Sequence, residues 1–195
     1  MSSIPKTLLT PPEYLARERQ AEFKSEFYRG EMFAMAGASW THNLVKDNVA
    51  RHTGNQLENE PCRVLSSDMR VKIDATGLYT YPDVVVVCEE PEFEDGVLDT
   101  LLNPRVLMEL LSESTEMYDR GDKFRHYQQI PSLQEVVLIA QDRPHVERHV
   151  RQPNGDWLKA EFRELSQTFA FTSIPVKIPL ADIYRGVEFS DKTEG

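Results

Sequence analysis

The sequence predicts an α+β domain organised around a mixed β-sheet, and three observations carry that prediction. Val84 to Val87 are four consecutive valines, and Val106 to Leu111 is apolar at every position except Glu109. Runs of that kind suit strands covered on both faces. Segments with helical spacing supply the cover, through Leu44, Val45, Val49 and Leu57, and through Met117 to Gln129. At 195 residues, 40% hydrophobic and 28% charged, the chain can bury one real core.

The elements follow in order. Thr10-Pro11-Pro12-Glu13 combines an N-cap, a proline in the first turn and a capping-box glutamate, so a helix starts here and runs to about Phe23. Glu26 to Ala36 reads as a hairpin turning at Arg29-Gly30. Gly37-Ala38-Ser39 leads into a second helix, its centre weakened by Gly54. Cys62 to Leu65 and Met69 to Ile73 are short strands, and Thr80 to Cys88 is a longer one through Pro82-Asp83. Glu89 to Asn103 is acidic, contains proline and reads as a loop, ahead of the strand Val106 to Leu111. The helix over Met117 to Gln129 stops at Ile130-Pro131, because the residue before proline leaves the helical region. Gln134 to Ala140 is a strand, and His145 to Arg151 with Trp157 to Phe162 form a hairpin about Pro153-Asn154-Gly155-Asp156. A last short strand and one helical turn fall within Ile174 to Tyr184. No repeat or linker divides the chain, so residues 1–189 are expected to form a single domain and 190–195 a disordered tail.

Composition narrows the function classes. The net charge is −10, from 22 Lys+Arg against 32 Asp+Glu. That argues against tight non-specific nucleic-acid binding, which rests on neutralising phosphates, but leaves room for a local groove or a bridging divalent ion. No apolar run approaches the ~20 residues that span a bilayer, and the N-terminus has too short an apolar patch for a signal peptide. Cys62 and Cys88 are too few for a disulfide framework or a four-cysteine metal site, so a reducing cytoplasm is the simplest setting.

The chemistry concentrates on three residues. Asp83 opens the valine strand and Glu109 interrupts the other apolar strand, where an unpaired carboxylate costs several kcal/mol. A divalent cation compensates that cost, since Mg²⁺ takes oxygen ligands, commonly one or two carboxylates plus water and phosphate. Lys123, carried back by the following helix, would place a positive charge beside such an ion, to orient water and offset charge on a phosphorane. The plainer reading is equally open at this point: Lys123 bridges Glu109 or Asp119 with no chemistry, and Asp83 caps a turn.

The order of motifs resembles the Uma-type restriction-endonuclease family within the PD-(D/E)XK nuclease superfamily. The matching pieces are EFYRGEMFAMAGAS followed by His42, then SSDMRVKI, YPDVVVV, VLMELLSEST, DRGDKFRHYQQI, PSLQEVVLI and IPLADIY. The resemblance implies a restriction-endonuclease-like fold of α/β/α type, with a central mixed sheet flanked by helices, and a nuclease site dependent on Mg²⁺, with Mn²⁺ as a substitute. It implies DNA as substrate, and a two-fold homodimer would suit cutting both strands. Asp83 and Glu109 match the metal-binding acids. The superfamily's usual lysine, two residues after the second acid, is replaced by Leu111, and Lys123 on the following helix matches the Uma-type pattern instead. Tyr127, Glu31 and His42 stand at family-matching places as auxiliary residues, Glu31 as a third acid and His42 towards phosphate.

Other features read more plainly. His145-Val146-Glu147-Arg148-His149 has zinc-like spacing if helical, but Pro144 and the Asn-Gly turn favour a solvated strand face without a third ligand. Phe23, Phe27, Tyr28 and Phe33 are expected in the core, and Arg70, Lys72, Arg120, Lys123 and Arg125 could gather on one side. A non-catalytic nucleic-acid-binding or interaction module with the same fold is the alternative to a nuclease, and a two-carboxylate glycosidase is the weaker third.

Overall fold

The computed structural model describes residues 8–189, so the tail from 190 to 195 lies outside them. Helix α1 (Pro11–Glu18) begins where its capping box places it, with the Glu13 carboxylate accepting from the Thr10 backbone N–H and hydroxyl, both at 2.8 Å. Strands β1 (Ser25–Tyr28) and β2 (Glu31–Ala34) form the hairpin. Its two-residue turn needs positive φ at both positions, 49° at Arg29 and 84° at Gly30. A side chain at Gly30 would also meet Leu8 Cβ at 2.6 Å. Helix α2 (Trp40–Gln56) is capped by the Ser39 hydroxyl, which accepts from the His42 N–H.

The following strands are β3 (Arg63–Ser66), β4 (Arg70–Ile73), β5 (Leu78–Thr80), β6 (Val84–Val87), β7 (Thr100–Leu101), β8 (Val106–Leu111), β9 (Glu135–Ala140), β10 (Val146–Arg151) and β11 (Trp157–Phe162). A small ladder of β12 (Thr168–Ala170) and β13 (Lys177–Pro179) precedes the short helix α5 (Leu180–Ile183). The main sheet has six strands in the order β11-β10-β9-β8-β6-β3, parallel between β8 and β9 and antiparallel elsewhere.

Alternation along the central strands assigns their two faces. Val84, Val86, Val106, Met108, Leu110, Val137 and Ile139 point to one side, where Val45, Val49 and Leu57 of α2 and its end meet Phe169, Ile178 and Ile183. Val85, Val87, Leu107, Leu111, Val136 and Leu138 point to the other, with Tyr127, Ile130 and Leu133. Glu109 shares the parity of Leu107 and Leu111, so it projects into this second layer.

Three expectations are corrected by tertiary context. The single strand over Thr80 to Cys88 is two strands in different sheets: β5 belongs to a five-stranded sheet, β2-β1-β5-β4-β7, and β6 to the main one. Pro82 offers no N–H to a ladder, and the chain crosses between sheets at Tyr81-Pro82-Asp83. The loop over Glu89 to Asn103 holds β7, which pairs parallel to β4. The helix after β8 is real but is built as α3 (Glu116–Tyr118), a π turn over Asp119–Lys123 and α4 (Phe124–Tyr127).

The cysteines and aromatics also depart from expectation. Arg63 pairs with Val87 across β3 and β6, which brings Cys62 and Cys88, one step further along, to a Cα–Cα distance of 3.8 Å and into a disulfide. The two cysteines are thus paired and neither is free, a pairing the sequence reading did not include. Phe27 is buried, whereas Phe23 and Phe33 are 75% and 50% exposed and do not join the core. No helix among the described residues is long and apolar enough to cross a membrane.

Candidate active site

Asp83 and Glu109 come together because β6 and β8 are antiparallel neighbours. Val84 pairs with Met108, so the next step of the register sets Asp83 opposite Glu109. The Asp83 Oδ2 accepts the Leu110 N–H at 2.8 Å, which fixes the carboxylate against β8. Like charges on facing strand positions repel, and the repulsion needs a cation.

Lys123 supplies one. Its Nζ lies 2.9 Å from Glu109 Oε1, 3.3 Å from Glu26 Oε1 and 3.5 Å from Asp119 Oδ1. A lysine missing from the strand is thus recovered from the π turn, a helical irregularity that often marks functional positions. The plainer pairing partner, Asp119, is satisfied at the same time. The Tyr127 hydroxyl, buried one turn later, donates to Glu109 Oε1.

Three carboxylates therefore converge on one ammonium in a largely dry environment, with Asp83 beside Glu109 on the next strand. Burial pushes the Glu109 carboxyl up to about 8; Lys123 opposes the rise, Asp119 and Asp83 add to it, and the Tyr127 hydrogen bond lowers it. Asp119 moves up as well, again chiefly through burial. Lys123 is buried too, which works against its charge, but Glu109, Tyr127, Glu26 and Asp119 together raise it well above the ordinary lysine range. Lys123 keeps its proton, and Glu109 takes one more readily than an ordinary carboxyl does.

The remaining expected residues divide. His42 Nε2 stands 2.9 Å from Asp83 Oδ1, so it orients the first acid from the start of α2. Glu31 sits at the turn end of the hairpin, opposite Tyr28. The acid that the hairpin delivers to Lys123 is Glu26, held from the five-stranded sheet by the Thr80 hydroxyl and approached by the Tyr118 hydroxyl at 3.4 Å. Sequence reasoning missed Glu26 as a site residue. The available signal was alternation in β1, which turns Glu26 and Tyr28 away from the buried Phe27. The five cations expected to gather are each engaged by acids, Arg70 by Asp99, Lys72 by Asp74 and Glu94, Arg120 by Glu116 and Glu147, and Arg125 by Asp122, besides Lys123 itself.

The donor set suits a hard cation. Both contacts of Glu109 with Lys123 and Tyr127 go to Oε1. Each Asp83 oxygen takes a single hydrogen-bond partner, so lone pairs remain on both carboxylates. A tighter set of ligand-type side chains lies elsewhere. Donor atoms of His145, Glu147 and Glu161 are all within 4.8 Å of one another. The expectation of a solvated face there is corrected: His145 and Glu147 are buried, and Glu161 of β11 stands opposite Glu147.

Comparison with known proteins agrees with this architecture. A crystal structure of a putative nuclease belonging to DUF820 from Anabaena variabilis superposes with a TM-score of 0.72 at 18% identity, over 89% of this chain and 96% of that one, which shows a shared fold. The Synechocystis sp. protein sll1609 is 40% identical over 154 residues, 79% of this chain and 87% of its own length. A second Synechocystis sp. protein, slr1290, is 33% identical over 187 residues, 96% of this chain and 97% of its own. The family described as Uma2, putative restriction endonuclease, matches residues 11–180. With that match covering the site residues from Glu26 to Tyr127, the chain belongs to the Uma2 family, described as putative restriction endonuclease.

Proposed function

We propose that this protein is a Mg²⁺-dependent endonuclease that hydrolyses phosphodiester bonds in DNA. The observation that supports it best is the meeting of Asp83 and Glu109 on facing strands with Lys123 at 2.9 Å from Glu109. Asp83 and Glu109 would hold the ion, which when bound lowers the pKa of a ligated water and polarises the phosphoryl oxygens. His42 and the Leu110 N–H hold Asp83 in place, while Tyr127 and Lys123 hold Glu109. Lys123 would offset the charge that builds on the phosphorane, from a water-poor position where such an interaction is strong. Glu26 and Asp119 keep its ammonium aimed at the site. A two-fold homodimer would present two such sites to the two strands of a duplex.

Plasmid nicking in Mg²⁺ and in Mn²⁺ tests this, with wild type beside Asp83→Ala, Glu109→Gln and Lys123→Ala. The reading requires nicking by wild type and a loss of about 10²-fold or more in each variant. Equal nicking by all four assigns the activity to some other source. A second reading, a non-catalytic nucleic-acid-binding or interaction module, draws on the net charge of −10 and on the full neutralisation of Lys123 by three acids. Calorimetric Mg²⁺ titration separates the two: a nuclease binds the ion with an affinity lost in Asp83→Ala, and a module shows no such dependence.

A further inference from the structure

Strand register places a second cluster on the same sheet face as Glu109. Glu109 pairs with Leu138 across β8 and β9, Leu138 with Glu147 across β9 and β10, and Glu147 with Glu161 across β10 and β11. Residues paired in this way project from one face. With strands ~4.8 Å apart, Glu147 and Glu161 stand roughly 10 and 14 Å from Glu109. Two acids face each other here, as Asp83 and Glu109 do, but the group beside them is an imidazole.

That imidazole is the informative feature. The His145 side chain is 7% exposed, and neither ring nitrogen has a hydrogen-bond partner among the described residues. Its Nε2 points between the acids, 3.4 Å from Glu147 Oε1 and 3.3 Å from Glu161 Oε2. Those separations are long for a hydrogen bond. They equal the ~3.3–3.4 Å between neighbouring ligands of a tetrahedral ion with bonds of ~2.0–2.1 Å. Burial lowers the His145 pKa, with Arg163 also acting downward and the two glutamates acting upward.

The charges around the cluster are compatible with a displaceable occupant. Lys159 Nζ bridges Glu147 Oε2 at 2.8 Å and Glu161 Oε1 at 2.6 Å, and Arg163 reaches Glu161 Oε2. Lys159 and Arg163 are 43% and 62% exposed, so their pairs with the part-exposed Glu161 are screened, whereas the buried Glu147 holds Lys159 more firmly. Arg120, from the π turn, donates to Glu147 Oε1, the same oxygen that faces His145, and His149 Nε2 lies 3.7 Å from Glu147 Oε2. We propose that His145, Glu147 and Glu161 bind a transition-metal ion of the zinc class, separate from the Asp83–Glu109 site. The mixed nitrogen and oxygen donors favour such an ion over Mg²⁺. Bound there, it joins β10 to β11 beside Arg120, which connects the cluster to the turn bearing Asp119 and Lys123.

The test is calorimetric titration of the full chain with Zn²⁺, alongside the visible spectrum of the Co²⁺ form. Expected are one site present in both wild type and Asp83→Ala, and an affinity weakened about tenfold or more by Glu161→Gln and by His145→Gln. Lys159→Ala should tighten binding, because it removes the competing ammonium, and a Co²⁺ spectrum of tetrahedral intensity should change in His145→Gln. Glu161 is exposed enough for its variant to fold should the buried His145→Gln fail. Absence of Zn²⁺ binding, binding untouched by Glu161→Gln, loss in Asp83→Ala, or weakening by Lys159→Ala each overturns the assignment.

Discussion

Replacing Lys123 by methionine removes the cation from a largely buried group of three acids while keeping a side chain of similar length. Its Nζ touches Glu109, Glu26 and Asp119 within 3.5 Å, and its surroundings are dry. Breaking a buried ion pair from one side costs about 3–5 kcal/mol, because the abandoned charges stay buried. For a chain of this size that corresponds to a fall in Tm of roughly 6–20 °C. Glu109→Gln should cost less, since Lys123 keeps Glu26 and Asp119, and the double variant should be more stable than the sum of the singles implies. Urea unfolding of all four proteins in EDTA measures the cycle. A cost below about 1 kcal/mol for Lys123→Met, or additivity within about 0.5 kcal/mol, would refute the claim that the ammonium holds the cluster together. The pH dependence follows with a definite sign. A carboxyl raised on folding, as Glu109 is to about 8, binds its proton more tightly in the folded state. Metal-free stability should therefore decline as pH rises from about 4 to about 8, and decline more steeply in Lys123→Met.

Three further outcomes are expected. Asp99 is gripped by Arg19 and Arg70, and the Arg19 hydrogen bonds hold its carboxyl far below the usual range. Asp99→Asn should then cost about 1–3 kcal/mol near neutrality, with the partial exposure of Asp99 discounting the buried-pair value. The gap to wild type should close as pH falls below about 4, and chemical denaturation across that range checks it. Reducing the Cys62–Cys88 bridge, which spans 26 positions, should lower stability by about 3–4 kcal/mol on loop-entropy grounds. Cys62→Ser with Cys88→Ser should reproduce that loss, and an unchanged Tm under reductant would contradict it. Glu26→Gln should reduce DNA nicking by about 10²-fold by releasing one of the three acids that position Lys123; undiminished nicking would remove Glu26 from the site.

The legible part of the site came from residues whose oddity is local. Glu109 stands out among aliphatics, Asp83 precedes four valines, and Lys123 and Tyr127 lie one helical turn apart in a segment with clear helical spacing. Glu26 carries no such mark, since an acid beside two aromatics is ordinary in a hairpin. It reaches the site only because β1 pairs with β5, and β5 runs through Pro82 into the other sheet. The same limit hid the third ligand of the histidine cluster, as Glu161 is opposite Glu147 only through the register of β10 and β11.

By itself the sequence determined the local chemistry: which strands are buried on both faces, where the hairpin turns, and which carboxylates sit where water is scarce. Alternation and turn stereochemistry act over a few residues, so they survive without the fold. Tertiary structure alone decided which charges share a space. Glu26, Asp119 and Lys123 around Glu109, Cys62 beside Cys88, and His145 between two glutamates all depend on strand register and sheet crossing. Apart from the local pairs Asp119–Lys123 and His145–Glu147, those contacts arise between elements distant in sequence, which local patterns do not join.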